Sequence, residues 1–216
     1  MRNFFALSLA LIISFFGTIE LSNIPQSLAV VKNVVSQRTS EMTSCDNGIE
    51  IDGICFETLF PEENYQLPKY GEETPIQLGV CITNNSSTAY RFDLPQFEPE
   101  ISNPNGELMK MSWARNATSI PRDSDVPLIC PGASLEFYLY DPKFSWYKRN
   151  NIVLRGYSNY GGIWNFYNFK KGTYKIRLRY NKSRLIKEVY LGFKSIKYDS
   201  FWVGEVLTPW KGLYLK

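Results

Sequence analysis

The chain has 216 residues, 15% of them aromatic, with 14 Tyr and 14 Phe, and a formal net charge of +3. It contains no histidine, which excludes Ser-His-Asp and Cys-His nucleophilic catalysis and removes the commonest general base. So small a charge gives no footprint for nucleic acid, and so many Tyr and Phe favour strands.

At the N-terminus, Arg2 precedes an apolar run from Phe4 to Phe16, and Ser27-Leu28-Ala29 follows with small residues at the two positions a signal peptidase reads. The pattern predicts a secretory signal over 1–29. The mature chain would then begin at Val30 and be secreted or periplasmic. An uncleaved anchor is the alternative. The apolar run, however, is shorter than the roughly 20 residues that cross a bilayer, and Asn23, Pro25, Gln26 and Ser27 break it. There is no second long apolar run, so no stable membrane insertion is expected after cleavage. Residues 30–46 are polar, lack a clear period and read as a linker.

All four cysteines, Cys45, Cys55, Cys81 and Cys130, lie beyond the signal. Two disulfides are expected in an exported chain. Pairing Cys45–Cys55 with Cys81–Cys130 assumes least about the fold. Pairing Cys55–Cys81 with Cys45–Cys130 is the rival, because Cys55 and Cys81 could sit on neighbouring strands. With no CxxC and no histidine, no metal site is expected.

From residue 47 the chain reads as strands. Ile49, Ile51, Ile54 and Phe56 flank Asp52-Gly53, a hairpin or bulge signal. A Pro-, Glu- and Asn-rich connection runs from Pro61 to Pro75. Ile76, Leu78, Val80 and Ile82 then alternate with Gln77, Gly79, Cys81 and Thr83, the period of a half-buried strand, which Asn84-Asn85-Ser86-Ser87 ends with turn chemistry. Tyr90, Phe92 and Leu94 resume the alternation. Asn103-Pro104-Asn105-Gly106 predicts a turn before a short strand, Glu107 to Trp113.

Leu135, Phe137 and Leu139 alternate with Glu136, Tyr138 and Tyr140. The next stretch crowds aromatics among Gly156, Gly161, Gly162 and several asparagines. It reads as a loop, and Trp146, Tyr147, Tyr157, Tyr160, Trp164 and Tyr167 form a candidate binding patch, because exposed rings stack on sugars or anchor a protein partner. The competing reading is that these rings fill the core. Tyr174, Ile176, Leu178 and Tyr180 alternate with Lys175, Arg177 and Arg179. Further strands are expected over Lys187 to Phe193 and Phe201 to Val206, and Trp210 to Leu215 closes the chain.

Charge is unevenly spread. Cys45 to Pro75 holds eight acids and one base, Lys69; Lys170 to Lys197 holds ten bases and one acid, Glu188. The two regions could face each other, could be solvated strand faces, or could mark a polyanion patch.

Four segments carry a family resemblance. Thr74–Asn85 (TPIQLGVCITNN) resembles the second strand of bacterial immunoglobulin-like domains. Cys130–Phe137 (CPGASLEF) resembles their PG-[ED]-S-x-x-F segment, and Phe169–Tyr180 (FKKGTYKIRLRY) their L-x-P-G-x-Y-x-I-R strand, with Lys171 where proline is usual. Trp202–Val206 (WVGEV) resembles their terminal W-x-G-x-V. The chain is similar to an exported, cyanobacterial-type immunoglobulin-like family, and more distantly to the intracellular proteinase inhibitor-like sandwich. The resemblance implies an all-β, immunoglobulin-like antiparallel β-sandwich over 47–216. It also implies a tyrosine corner at Tyr174, whose ring would enter the core while its hydroxyl bonds the backbone upstream.

The sequence carries no phosphate-loop, dinucleotide or EF-hand motif, so no cofactor is expected. The expectation is a non-catalytic binding or structural module of the periplasm or cell envelope. Its partner would be an exported protein or an envelope polysaccharide. An inhibitor of exported proteases is the alternative, presenting the loop after Pro61 or the segment Ser145 to Trp164.

Overall fold

The computed structural model describes residues 38–39, 45, 47–115, 122–148, 151–158, 161–191 and 194–216. The predicted signal, 1–29, lies outside them, as does Tyr160. In chain order the strands are β1 (Arg38–Thr39), β2 (Ile49–Ile51), β3 (Ile54–Leu59), β4 (Asn64–Tyr65), β5 (Glu73–Pro75), β6 (Gly79–Asn84), β7 (Tyr90–Arg91), β8 (Phe97–Ser102), β9 (Ser112–Arg115), β10 (Leu128–Ile129), β11 (Ala133–Tyr138), β12 (Tyr140–Tyr147), β13 (Asn151–Tyr157), β14 (Gly162–Phe169), β15 (Gly172–Lys182), β16 (Lys187–Leu191), β17 (Lys194–Tyr198), β18 (Gly204–Leu207) and β19 (Lys211–Leu215). The only helical elements among the described residues are 3-10 turns at Leu94–Gln96 and Asp123–Asp125.

The fold is an antiparallel β-sandwich. One sheet has the order β1-β11-β6-β3-β2. The second is built on β15, which pairs with β8 along one edge and with β19 and then β18 along the other. β19 also accepts β4 in parallel. Alternation dictates which residues meet between the sheets. Tyr174, Ile176, Leu178 and Tyr180 of β15 are buried, as are Ile54 and Phe56 of β3, Val80 and Ile82 of β6, and Leu135 and Phe137 of β11. Phe56, Phe92, Phe97, Tyr180 and Trp202 form one aromatic cluster, with centroids 4.6 to 6.5 Å apart along its contacts.

Local chemistry sets the turns. Asp52 and Gly53 both have positive φ, 53° and 73°, and Ile51 faces Ile54 across them. Two residues with φ > 0 match the right-handed twist of the strands they join. Asn84 is fully buried; its carbonyl accepts from the Ser86 amide and hydroxyl, and its amide donates to the carbonyls of Thr88 and Ile129.

Several expectations are revised. The segment read as a linker contributes β1, which pairs with β11. The alternation at Tyr90 to Leu94 yields only the two-residue β7, because Pro95 turns the chain into the 3-10 element. Most consequential is 140–169. The sequence reads as a loop there, yet it forms β12, β13 and β14, the centre of a third sheet ordered β5-β12-β13-β14-β9. Asp141, with φ 48°, marks the bend as the chain leaves β11. This sheet lays Phe144, Leu154 and Phe166, in register across three strands, into the same core.

Candidate functional site

The five described aromatics of the predicted patch do not form one surface. On β12 and β14, Tyr147 and Tyr167 point outward and meet edge-to-face, 5.3 Å apart. Tyr157 stands at the far end of the same sheet against Tyr140, 6.0 Å away. Trp146 belongs to the opposite face: its Nε1 donates to the Pro68 carbonyl at 2.8 Å and its ring packs beside Tyr70. Trp164 is 4% exposed, so it belongs to the core rather than to a patch. Its indole lies over Gly156, where an added Cβ would come within 2.1 Å of the ring, so only glycine fits that position. Tyr160 is outside the described residues. The loop reading failed because alternate residues of a strand face opposite ways, and three strands scatter one aromatic run over both faces.

What the structure offers is an open groove of about 910 Å³ at the edge of this sheet. The pairing of β9 with β14 ends at Ser112 and Asn165. Beyond it, Tyr167 and Asn168 line the groove together with the turn at Asn103 to Asn105 and the stretch Met109 to Trp113. Lys110, Lys170 and Lys171 also line it, and among the described residues no carboxylate does. Trp113 is 38% exposed at its rim. Of the described residues of the predicted patch, only Tyr167 contributes. Trp113, Met109 and Met111 were not singled out; an aromatic at the end of a strand just after a turn was the available signal.

Tyr174 also borders this groove. Its ring is buried, and its hydroxyl donates to the Lys170 carbonyl at 3.2 Å and accepts from the Lys170 amide at 3.1 Å. It therefore ties the strand to the backbone four residues upstream, the geometry of a tyrosine corner, and it fixes the turn that carries Lys170 and Lys171.

The cysteines depart from the two-bridge expectation. Cys45 and Cys55 form a disulfide across the first hairpin. Cys81 and Cys130 are not bridged. Cys81 stands mid-strand on the outer face of β6, between Glu57 and Glu136. Cys130 precedes the Pro131-Gly132 turn, whose Gly132 amide bonds the Asn84 carbonyl at the far end of β6. That end of β6 lies three strand residues, about 10 Å, from Cys81. The rival pairing was right that Cys55 and Cys81 occupy neighbouring strands, but Cys55 faces Thr83.

Among the described residues, the ion pairs of the basic region go to acids outside 45–75. Arg177 binds Glu100 and Arg179 binds Glu205, each at 2.7 Å. These acids lie on the strands flanking β15, where cross-strand partners must lie. Glu73 instead meets Lys143 of β12 at 2.8 Å.

A second polar cluster is buried and was not anticipated. The Asp93 carboxylate is 1% exposed and meets Lys182 Nζ at 2.8 Å and Lys187 Nζ at 2.8 and 3.0 Å. Both ammonium groups are largely covered, at 12% and 17% side-chain exposure. Lys182 also sits over the Phe201 ring, 4.4 Å from its centroid. The Asp93 amide bonds the Tyr180 hydroxyl. Burial holds the Lys187 amine below its ordinary range, against the opposing pull of Asp93. Burial also pushes the Tyr180 phenol up.

Among the described residues, no group of three or more Cys, Asp or Glu is placed to hold a metal, and no helix is long and apolar enough to cross a membrane. Comparison with protein-family models, curated proteins and solved structures returns no match.

Proposed function

We propose that the chain is a non-catalytic binding module of an oxidising compartment outside the cytoplasm, and that its groove holds an anionic envelope polysaccharide. The observation that carries this reading is the groove lining: aromatic rings at Trp113 and Tyr167, amides at Asn105 and Asn168, three lysines, and no acid among the described lining residues. Sugar rings present apolar faces to aromatics and hydroxyls to amides. The lysines add attraction for uronate, sulfate or phosphate groups. The Cys45–Cys55 disulfide supports the compartment, since such bonds persist where the medium is oxidising. The protease-inhibitor reading draws less support, because Ser145 to Trp164 lies mostly in paired strands rather than in a loop that could enter a cleft.

Tryptophan fluorescence titration with a polyuronate and with a neutral glucan tests the proposal. The polyuronate should bind at low salt and weaken sharply at about 1 M salt, where screening acts within ~3 Å. Lys170→Glu with Lys171→Glu should abolish binding, and Trp113→Ala should weaken it about tenfold, the equivalent of ~1.4 kcal/mol. Polyuronate binding that neither variant alters, or no binding at all, overturns the proposal.

A further inference from the structure

We propose that Asp93 and Lys187 are joined by an intramolecular isopeptide bond in the mature fold. The geometry is that of a reactant pair held in place. Lys187 Nζ lies 2.8 and 3.0 Å from the two oxygens of one carboxyl, so the Asp93 Cγ is the electrophile nearest the amine. Reacting groups fixed this way gain effective molarities of about 10⁵–10⁸ M over free partners.

Both partners are anchored. Asp93 is pinned between the buried Phe92 and the 3-10 turn, with its amide on Tyr180. Lys187 opens the β16–β17 hairpin opposite Tyr198, whose hydroxyl donates to Asp123 at 2.6 Å.

The surrounding groups divide the work. Burial disfavours separated charges, and it lowers the Lys187 amine toward its neutral form. A proton passes from the Lys187 ammonium to the Asp93 carboxylate across their hydrogen bond. The freed lone pair attacks Cγ, and the C–N bond forms. Lys182 Nζ, seated on the Phe201 ring, contacts Oδ2 at 2.8 Å, where it stabilises the negative charge that develops.

A second buried carboxylate, Asp125, is 6% exposed and acts electrostatically on the same amine. The proton released by nitrogen passes to Oδ1, which Nζ contacts at 2.8 Å before reaction. The Cγ–Oδ1 bond then breaks and water leaves. A polar recess of about 280 Å³, lined by Gln96, Asn181, Lys182 and Lys187 among others, offers its exit. The balance is one ammonium and one carboxylate to one amide and one water, with no oxidant or reductant. The bond would close the chain between residues 94 apart in sequence, locking β16 to the rim of the sandwich.

Intact-mass spectrometry of the folded full chain, reduced and denatured before injection, decides it. The expected mass is one water below that of the open chain. A tryptic digest should contain a branched peptide joining the Asp93 segment to the Lys187 segment. Lys187→Arg keeps the positive charge and should restore the open-chain mass, whereas Lys182→Arg should still lose water. An undiminished wild-type mass overturns the proposal without any variant. A water lost at Asp52-Gly53, or a branch at Lys182, overturns it equally.

Discussion

Tyr174 shows what one side chain contributes when its two ends face different media. Its ring packs against Phe169 at 5.1 Å, while its hydroxyl makes two hydrogen bonds to the Lys170 backbone. Tyr174→Phe keeps the packing and removes the bonds. It should cost about 0.5–1.5 kcal/mol, read as a lower urea midpoint with an unchanged slope. Tyr174 was legible in the sequence because Phe169–Tyr180 resembles a strand that carries a tyrosine corner, and because regular alternation there puts Tyr174 on the apolar face. Asp93 was not legible. Its partners are 89 and 94 residues away, and an aspartate before Leu-Pro looks like any turn residue. Long-range ionic contacts leave no local period to read.

Strands were legible where one face is buried and the other solvated. β11 and β15 alternate for that reason, whereas β6 alternates in sequence although Cys81 is its one residue left partly exposed. β13 and β14 do not: Ile152, Val153 and Leu154 are buried in succession, and Asn165 is buried between Trp164 and Phe166. A strand covered on both faces loses the period of two that identifies it. The first hairpin carries a sharper test. Its disulfide spans a separation of 10 residues, so reduction should lower stability by about 2–3 kcal/mol, somewhat less than longer loops yield. The exposed Cys130 and the half-exposed Cys81 should both alkylate in the native, unreduced protein. Intact mass should therefore show two adducts before reduction and four after reduction and unfolding. No native adduct would restore the two-bridge arrangement.

Across the whole molecule, the buried phenols set the alkaline limit of stability. Burial raises Tyr180 and Tyr65 above their ordinary 10.0, and hydrogen bonding to Asp123 with burial raises Tyr198. In each case the native state holds a proton that the unfolded chain releases as pH passes 10.0. The stability they contribute is fully present below that pH and is lost as pH climbs toward the folded values, because the unfolded state then binds fewer protons than the native one. Lys143, raised above its ordinary 10.5 first by its hydrogen bond to Glu73, acts in the same direction. Lys187, lowered by burial, acts in the opposite sense while it remains an amine, and its contribution is complete by 10.5. The sum tilts toward unfolding in alkali. Denaturant midpoints should fall as pH climbs above 10. Tyr180→Phe removes the most deeply buried phenol while keeping its ring, so its midpoint should fall less steeply over the same range. Parallel curves for the variant and the wild type would show that Tyr180 does not set the limit.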